Sequence, residues 1–129
     1  MTAAFNSGKQ AVWDVVTDNA KSGWRSDLER VEVAPDGLSF IEYAKGGFPT
    51  TFEIVEKTPC SRYAFTLENR NMTGRWAGEF SHDGAGCRIR FTEEVEVKNP
   101  IMNLFAGGYL KKQQARYVAD LRRALGEEK

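Results

Sequence analysis

The sequence predicts one α+β domain in which an antiparallel sheet packs against a long C-terminal helix. Two observations support this fold class. Between residues 30 and 97 apolar side chains recur at alternate positions, and turn sequences such as Pro35-Asp36-Gly37 separate the runs. Between residues 101 and 125 the apolar positions instead follow the period of an amphipathic helix. Strands joined by such short turns pair antiparallel, because parallel pairing needs long crossover connections.

The composition limits the class of protein. The chain has 129 residues, of which 41% are hydrophobic and 28% charged, so we expect a single globular domain over residues 1–129. Lys plus Arg and Asp plus Glu number 18 each, so no basic field is available to attract nucleic acid. No apolar run approaches the ~20 residues of a membrane-spanning helix, and we expect no membrane insertion.

The N-terminal residues and the cysteines predict the cellular setting. Residues 1–10 lack the basic start and apolar middle of a signal peptide. Cys60 and Cys87 are too few for a disulfide framework or a zinc cluster. We therefore expect a cytoplasmic protein without a metal site and without a cofactor.

The N-terminal part predicts a strand stub and two short helices. Residues 1–6 can form at most half a strand. An apolar stripe predicts a helix over residues 8–19, with Ser7 as its N-cap. A second short helix or turn is expected over residues 20–28, although Gly23 interrupts it.

Six strands and a terminal helix follow. The strands are expected at residues 30–33, 38–45, 48–58, 62–68, 73–81 and 87–97, with residues 82–86 as a hairpin loop. Asn99 is placed to cap the last helix, with Pro100 at its first position and Gly126 at its end. The apolar stripe of this helix comprises Leu110, Gln114, Tyr117, Val118, Leu121 and Leu125.

Several short motifs resemble one superfamily. Residues 11–18 (AVWDVVTD) are similar to the opening of the START-related, Bet v 1-like (SRPBCC) ligand-binding proteins, and residues 74–78 (GRWAG) and 87–94 (CRIRFTEE) resemble their late strands. The most similar branch is the bacterial polyketide cyclase/dehydrase and lipid-transport-like group. The resemblance covers nearly the whole chain. It implies a helix-grip fold, in which a curved sheet wraps around the C-terminal helix and encloses a cavity for a small hydrophobic ligand.

The chain departs from this pattern at its start. The family has a full first strand, whereas residues 1–6 can supply about half of one. A shortened edge strand leaves part of its neighbour unpaired, and such edges pair with other chains. We therefore expect a homodimer.

Strand parity, combined with this fold, predicts which side chains line the cavity. Aromatic residues dominate the inward faces, while Leu and Ile are sparse. The alternative is that these rings simply fill a core. The predicted ligand-binding residues are Phe52, Tyr63, Phe65, Trp76, Phe80, Phe91, Glu93, Met102, Phe105 and Tyr109.

Glu93 is the predicted polar contact of the cavity. It lies in register with Phe91 and Val95, so its carboxylate should point inward and need a donor, a cation or a raised pKa. A bulge near Thr92 would instead turn it to solvent. Glu42 poses the same question, since neither face of its strand is clearly apolar.

Three functions fit these features. The first is binding of a small hydrophobic or aromatic molecule, lipid or polyketide-like. The second is a polyketide cyclase/dehydratase-type enzyme, for which the acid/base candidates are Glu93, Tyr63, Tyr109 and Arg75. The third is a protein-interaction module that uses the exposed strand edge. The sequence does not decide whether the protein is an enzyme.

Overall fold

A computed structural model describes residues 1–99 and 106–127 of the chain. Within this part the chain forms seven strands and two helices. In chain order these are β1 (Thr2–Phe5), α1 (Lys9–Thr17), β2 (Leu28–Val33), β3 (Ser39–Ala44), β4 (Pro49–Thr58), β5 (Arg62–Glu68), β6 (Met72–Asp83), β7 (Gly86–Val97) and α2 (Ala106–Ala124).

The strands form one curved antiparallel sheet in the order β1-β7-β6-β5-β4-β3-β2. Each strand from β2 to β6 pairs with the next one along the chain, as the short turns predict. The N-terminal stub adds β1 beside β7, where Thr2 is opposite Arg90 and Phe5 is opposite Cys87. The predicted sheet and terminal helix are therefore confirmed.

The β6–β7 hairpin is tighter than the sequence predicts. The strands continue to Asp83 and resume at Gly86, so the turn is confined to Gly84-Ala85 instead of residues 82–86. The last helix is predicted to start at Asn99-Pro100, and Pro100 lies outside the described residues.

The prediction of a second short N-terminal helix is wrong, and the structure has the alternative, turns. Residues 18–27 form separate turns, in which Lys21 N donates to Asp18 O and Arg25 N donates to Ser22 O. The next amide, Ser26 N, donates to the Asp120 carboxylate at 2.8 Å instead of extending a helical ladder. A tertiary hydrogen bond thus replaces the local one that a helix would require.

The predicted N-cap of α1 also differs. Gly8 occupies that position and no side chain caps the helix. The Ser7 hydroxyl instead donates to Glu127 Oε2 at 2.6 Å, and the same carboxylate accepts from Ser7 N and Asn6 N. The residues after α2 therefore tie down the entry to α1.

The main core lies at the β1-β7-β6 side of the concave face. There α1 contributes Val12, Trp13 and Val16, and the C-terminal half of α2 contributes Val118 and Leu121. These helices cover that half of the concave face, while the half formed by β2 to β5 faces only the N-terminal half of α2 among the described elements. The site lies on this second half and extends onto β6 and β7, where Trp76, Phe91 and Glu93 line it.

Candidate functional site

A cavity of about 640 Å³ lies between the concave face of the sheet and α2. Residues 18–27 close one side of it. Leu110, Gln114 and Tyr117 of α2 face the cavity, whereas Val118 and Leu121 of the same stripe are buried in the main core. The predicted apolar stripe of this helix is thus divided between the cavity and the core.

Aromatic rings on neighbouring strands form a continuous wall of the cavity. Phe40 and Phe52 are opposite each other on β3 and β4 and stack with ring centroids 4.9 Å apart. Phe65 and Trp76 are opposite each other on β5 and β6 and also stack at 4.9 Å. Edge-to-face contact between Phe52 and Phe65 at 5.2 Å joins the two pairs. Such contacts contribute beyond the area they bury and hold the rings in fixed orientations.

Trp76 depends on a glycine two residues away. A Cβ atom at Gly78 would lie 2.7 Å from the indole ring, so the ring occupies space that any other residue would fill. The indole also contacts Phe91 and Tyr117, with centroids 5.5 and 6.4 Å apart. Trp76 therefore bridges the sheet wall and α2.

A charged cluster lies at the β2–β3 side of the cavity. Arg25 donates to both carboxylate oxygens of Asp27, through Nε at 3.1 Å and Nη2 at 3.0 Å. Its Nη1 donates to Glu42 Oε2 at 3.3 Å. Burial raises the pKa of Glu42, and the Arg25 charge offsets part of that rise. Burial acts to lower the pKa of Arg25, but Glu42 and Asp27 together raise it.

Two tyrosines stand beside this cluster. Tyr63 accepts a hydrogen bond from Asn19 Nδ2 at 2.9 Å, and burial raises the pKa of its hydroxyl. Burial also raises the pKa of Tyr117. The Arg25 guanidinium lies 5.1 Å from the Tyr117 ring centroid. Both hydroxyls are therefore neutral hydrogen-bonding groups at neutral pH.

The wall formed by residues 18–27 is anchored to α2. Asp120, only 2% exposed, accepts hydrogen bonds at 2.8 Å from both the amide and the hydroxyl of Ser26. Trp24 packs edge-to-face on Tyr117 with centroids 5.3 Å apart. These contacts fix Arg25, which lies between them in the chain.

Glu93 lines the cavity. Pairing between β6 and β7 is continuous, without a bulge at Thr92, so Glu93 keeps the parity of Phe91 and Val95. Its Oε1 accepts a hydrogen bond from Gln114 Nε2 at 3.4 Å, and no cation pairs with it within residues 1–99 and 106–127. Burial raises its pKa, with the Gln114 amide acting in the opposite direction.

The structure places most of the predicted ligand-binding residues around this space. Seven line the cavity: Phe52, Tyr63, Phe65, Trp76, Phe91, Glu93 and Tyr109. Phe80 does not. It packs edge-to-face on Trp13 at 5.0 Å, because α1 covers that end of β6. Met102 and Phe105 lie outside the described residues.

Sequence reasoning missed the charged cluster. Arg25 and Asp27 lie in the segment for which a helix is predicted, and Glu42 is ambiguous by parity. One feature of the sequence could have indicated it. The strand of Glu42 has no clearly apolar face, so this carboxylate can point inward, where it needs a cation nearby. Of the other acid/base candidates, Arg75 lies on the outer face and pairs with Glu94.

Candidate metal-binding groups and membrane-spanning helices are both absent from the described part of the chain. No group of three or more His, Cys, Asp or Glu side chains there could hold a metal ion. No helix there is long and apolar enough to cross a membrane.

Comparison with known proteins identifies relatives of this fold. Residues 2–126 match the family model described as polyketide cyclase / dehydrase and lipid transport. No curated protein gave a significant sequence match.

Solved structures match over nearly the whole chain at low identity. A conserved protein from Geobacillus kaustophilus has a TM-score of 0.83 at 10% identity, covering 98% of this chain and 93% of its own. A START superfamily protein from Mycobacterium smegmatis has a TM-score of 0.74 at 13% identity, with 96% of both chains covered. DynU16, from the dynemicin biosynthetic locus, has a TM-score of 0.78 at 14% identity, covering 98% of this chain and 46% of its own.

Proposed function

Because the chain belongs to the polyketide cyclase/dehydrase and lipid-transport family of START-related, Bet v 1-like proteins, we propose that it binds a small hydrophobic or aromatic molecule in its internal cavity. The observation that carries the proposal is the size and lining of that cavity. A volume of about 640 Å³ lies within the ~300–1,000 Å³ typical of ligand sites. Most of its described lining residues are apolar, ten of them aromatic, and polar and charged side chains lie among them. A mostly apolar lining with polar groups that can orient a ligand is typical of such sites.

The nature of the wall favours a flat or elongated apolar ligand. The stacked pairs Phe40–Phe52 and Phe65–Trp76 lie side by side on the concave face and present ring surfaces to the cavity. A ligand that lies against them removes apolar surface from water, which favours binding by roughly 25 cal/mol for each Å² buried. A lipid chain or a polyketide-like ring system would meet this description.

Two substitutions on adjacent residues of β5 test the proposal. Leu67 lines the cavity and Thr66 is exposed, since successive strand residues point to opposite faces. Native mass spectrometry of the protein expressed in its own host should detect a retained small molecule. Leu67→Trp should reduce its occupancy because the indole fills ligand space, whereas Thr66→Trp should leave it unchanged. Wild-type protein that is consistently empty, and that binds no apolar dye, would contradict the proposal.

A cyclase/dehydratase-type enzyme is the alternative, and one observation favours it. Glu42, Tyr63 and Tyr117 all line the cavity, and the Glu42 charge contributes to the raised pKa of both tyrosines, so a carboxylate and two phenols lie on the same side of it. A carboxylate base and a phenolic acid are the groups that aldol closure and dehydration require. Loss of water from a poly-β-ketone thioester, abolished in Glu42→Gln and Tyr117→Phe, would support this activity. Unchanged substrate with wild-type protein would exclude it for that substrate.

We also infer a cytoplasmic homodimer. Strand β1 pairs with Cys87–Arg90 of β7, and within the described residues no strand pairs with Thr92–Val97 on that side. An unpaired edge of this length can accept a second chain. Light scattering at high micromolar concentration should give the mass of two chains, and a strict monomer would contradict the inference.

A further inference from the structure

The charges around the cavity are unbalanced. Its lining includes the carboxylates of Asp18, Asp27, Glu42 and Glu93, and Arg25 is the one cation among the described lining residues. If all are ionised, three negative charges remain. Asp18 is exposed, so solvent screens its charge more than those of the other three carboxylates.

Arg25 is not available to a ligand. Both carboxylate oxygens of Asp27 and one of Glu42 already accept hydrogen bonds from its guanidinium. A ligand carboxylate at this position would displace one of them and leave a buried, unpaired charge, which costs several kcal/mol. The charged cluster therefore does not favour an anionic ligand.

Glu93 is in the opposite situation. It occupies a separate part of the cavity wall, directly opposite Trp76 on the neighbouring strand and two residues after Phe91 on the same face. Among the described residues its one hydrogen bond is the long one from the Gln114 amide to Oε1, and Oε2 accepts none. Glu93 is partly exposed, so water can solvate it in the empty cavity. A ligand that displaces this water must supply a cation, or the carboxylate must take up a proton.

The surrounding rings suit a cation as well. Trp76, Phe91 and Tyr117 are in mutual contact, with centroids between 5.5 and 6.4 Å apart. Aromatic faces attract ammonium groups through their quadrupoles. Phe65 stacks on one face of Trp76 and Arg25 already lies against Tyr117, so this attraction is secondary to that of the Glu93 carboxylate. A carboxylate beside several aromatic rings is thus a site for an organic cation with an apolar body.

We propose that the ligand of this cavity is a lipophilic amine, whose ammonium group binds the Glu93 carboxylate and whose apolar part lies against the aromatic wall. This inference rests on the proposed ligand-binding function and adds a charge requirement to it. The ammonium supplies the cation that Glu93 lacks and balances one of the three excess negative charges.

Three naphthalene probes of similar size test the proposal at pH 7 by isothermal titration calorimetry. They are naphthylmethylammonium, naphthylmethanol and naphthoate, which differ in the charge of one substituent. The ammonium probe should bind about tenfold or more tightly than the alcohol. A hydrogen bond between two charged groups is stronger than one between a carboxylate and a neutral hydroxyl, and about 1.4 kcal/mol of extra stabilisation lowers the Kd tenfold. Naphthoate should bind most weakly.

The matched variants are Glu93→Gln and Glu96→Gln. Gln at position 93 keeps the shape of the side chain without its charge, so the ammonium preference should disappear while the alcohol still binds. Glu96 is exposed on the same strand, and its change should preserve the preference. If Glu93→Gln does not fold, the order of the three probes on the wild-type protein decides alone.

The results that would contradict the amine proposal differ from those that would contradict the ligand-binding function itself. Equal or tighter binding of the alcohol or naphthoate by the wild-type protein would overturn the amine proposal and leave the hydrophobic-ligand proposal standing. An ammonium preference that survives in Glu93→Gln would overturn the role of Glu93. Absence of binding by all three probes would count against the cavity as a ligand site.

Discussion

The carboxylate of Asp120 offers the sharpest test of how the cavity wall is held. We expect Asp120→Ala to destabilise the fold and to release residues 18–27 from α2. The change removes two hydrogen bonds of 2.8 Å from Ser26. Each bond to a charged acceptor contributes about 1–1.5 kcal/mol here, at or below the lower limit of the usual ~1.5–3 kcal/mol, because the exposed Ser26 can be rehydrated. The ion pair with half-exposed Arg123 adds less than ~1 kcal/mol.

The expected loss is therefore about 2–3 kcal/mol in the free energy of unfolding. Urea denaturation should show it as a midpoint lowered by roughly 1–2 M with an unchanged slope. Both Ser26 bonds go to Oδ2, so Asp120→Asn can keep them on its one oxygen and loses the charge, while Ser26→Ala keeps only the amide bond. Each should cost about half as much. Lys112→Ala, an exposed change on the same helix, is the control and should lie within ~0.5 kcal/mol of the wild type.

The pH dependence gives a second measure of the same contact. Burial acts to raise the pKa of Asp120, but the hydrogen bonds from Ser26 and the Arg123 charge outweigh it and lower that pKa. A lowered pKa means that the stabilisation is complete above the unfolded value of about 3.9 and is lost as pH falls through the folded value. The difference between wild type and Asp120→Asn should therefore shrink below pH ~4. A loss below ~0.5 kcal/mol for Asp120→Ala at pH 7 would refute the reasoning.

Two further substitutions test other parts of the structure. Gly78→Ala should cost about 1–3 kcal/mol and weaken ligand binding, because its Cβ would lie 2.7 Å from the Trp76 indole and push the ring into the cavity. Gly23→Ala, with nothing within 4 Å of the new Cβ, is the matched control, and equal stability of the two variants would contradict the argument. Glu127→Gln should cost about 1 kcal/mol at pH 7 in thermal unfolding, because Glu127 accepts from Ser7 and Asn6. Burial acts to raise the pKa of Glu127, but the Ser7 and Asn6 donors outweigh it and lower that pKa. The loss of stability in Glu127→Gln should therefore vanish as pH falls below ~4. A loss that persists at pH 3 would contradict this assignment.

The sequence predicts the sheet well because its signals are local. Alternation and turn residues determine which face a strand residue occupies, and pairing without a bulge keeps Glu93 on the cavity face. Parity does not determine what covers that face. Phe80 shares the parity of Trp76, yet α1 covers Phe80 while the cavity lies beside Trp76.

The features that the sequence does not predict depend on distant partners. Ser26 N bonds a carboxylate 94 residues away, and this contact replaces the short helix expected over residues 20–28. Ser7 donates to a carboxylate 120 residues away instead of capping α1. Arg25 and Glu42 are 17 residues apart and are brought together by the pairing of β2 with β3. Composition and periodicity carry no information about such pairs.

The division of the α2 stripe between core and cavity has an evolutionary consequence. Val118 and Leu121 belong to the main core, whereas Leu110, Gln114 and Tyr117 face the cavity. If the cavity binds a ligand as we propose, substitutions at the cavity-facing positions of this helix would alter ligand preference with little effect on folding, while Val118 and Leu121 are restricted to residues that fill the core. One helix thus lets a lineage diversify its chemistry on a constant scaffold.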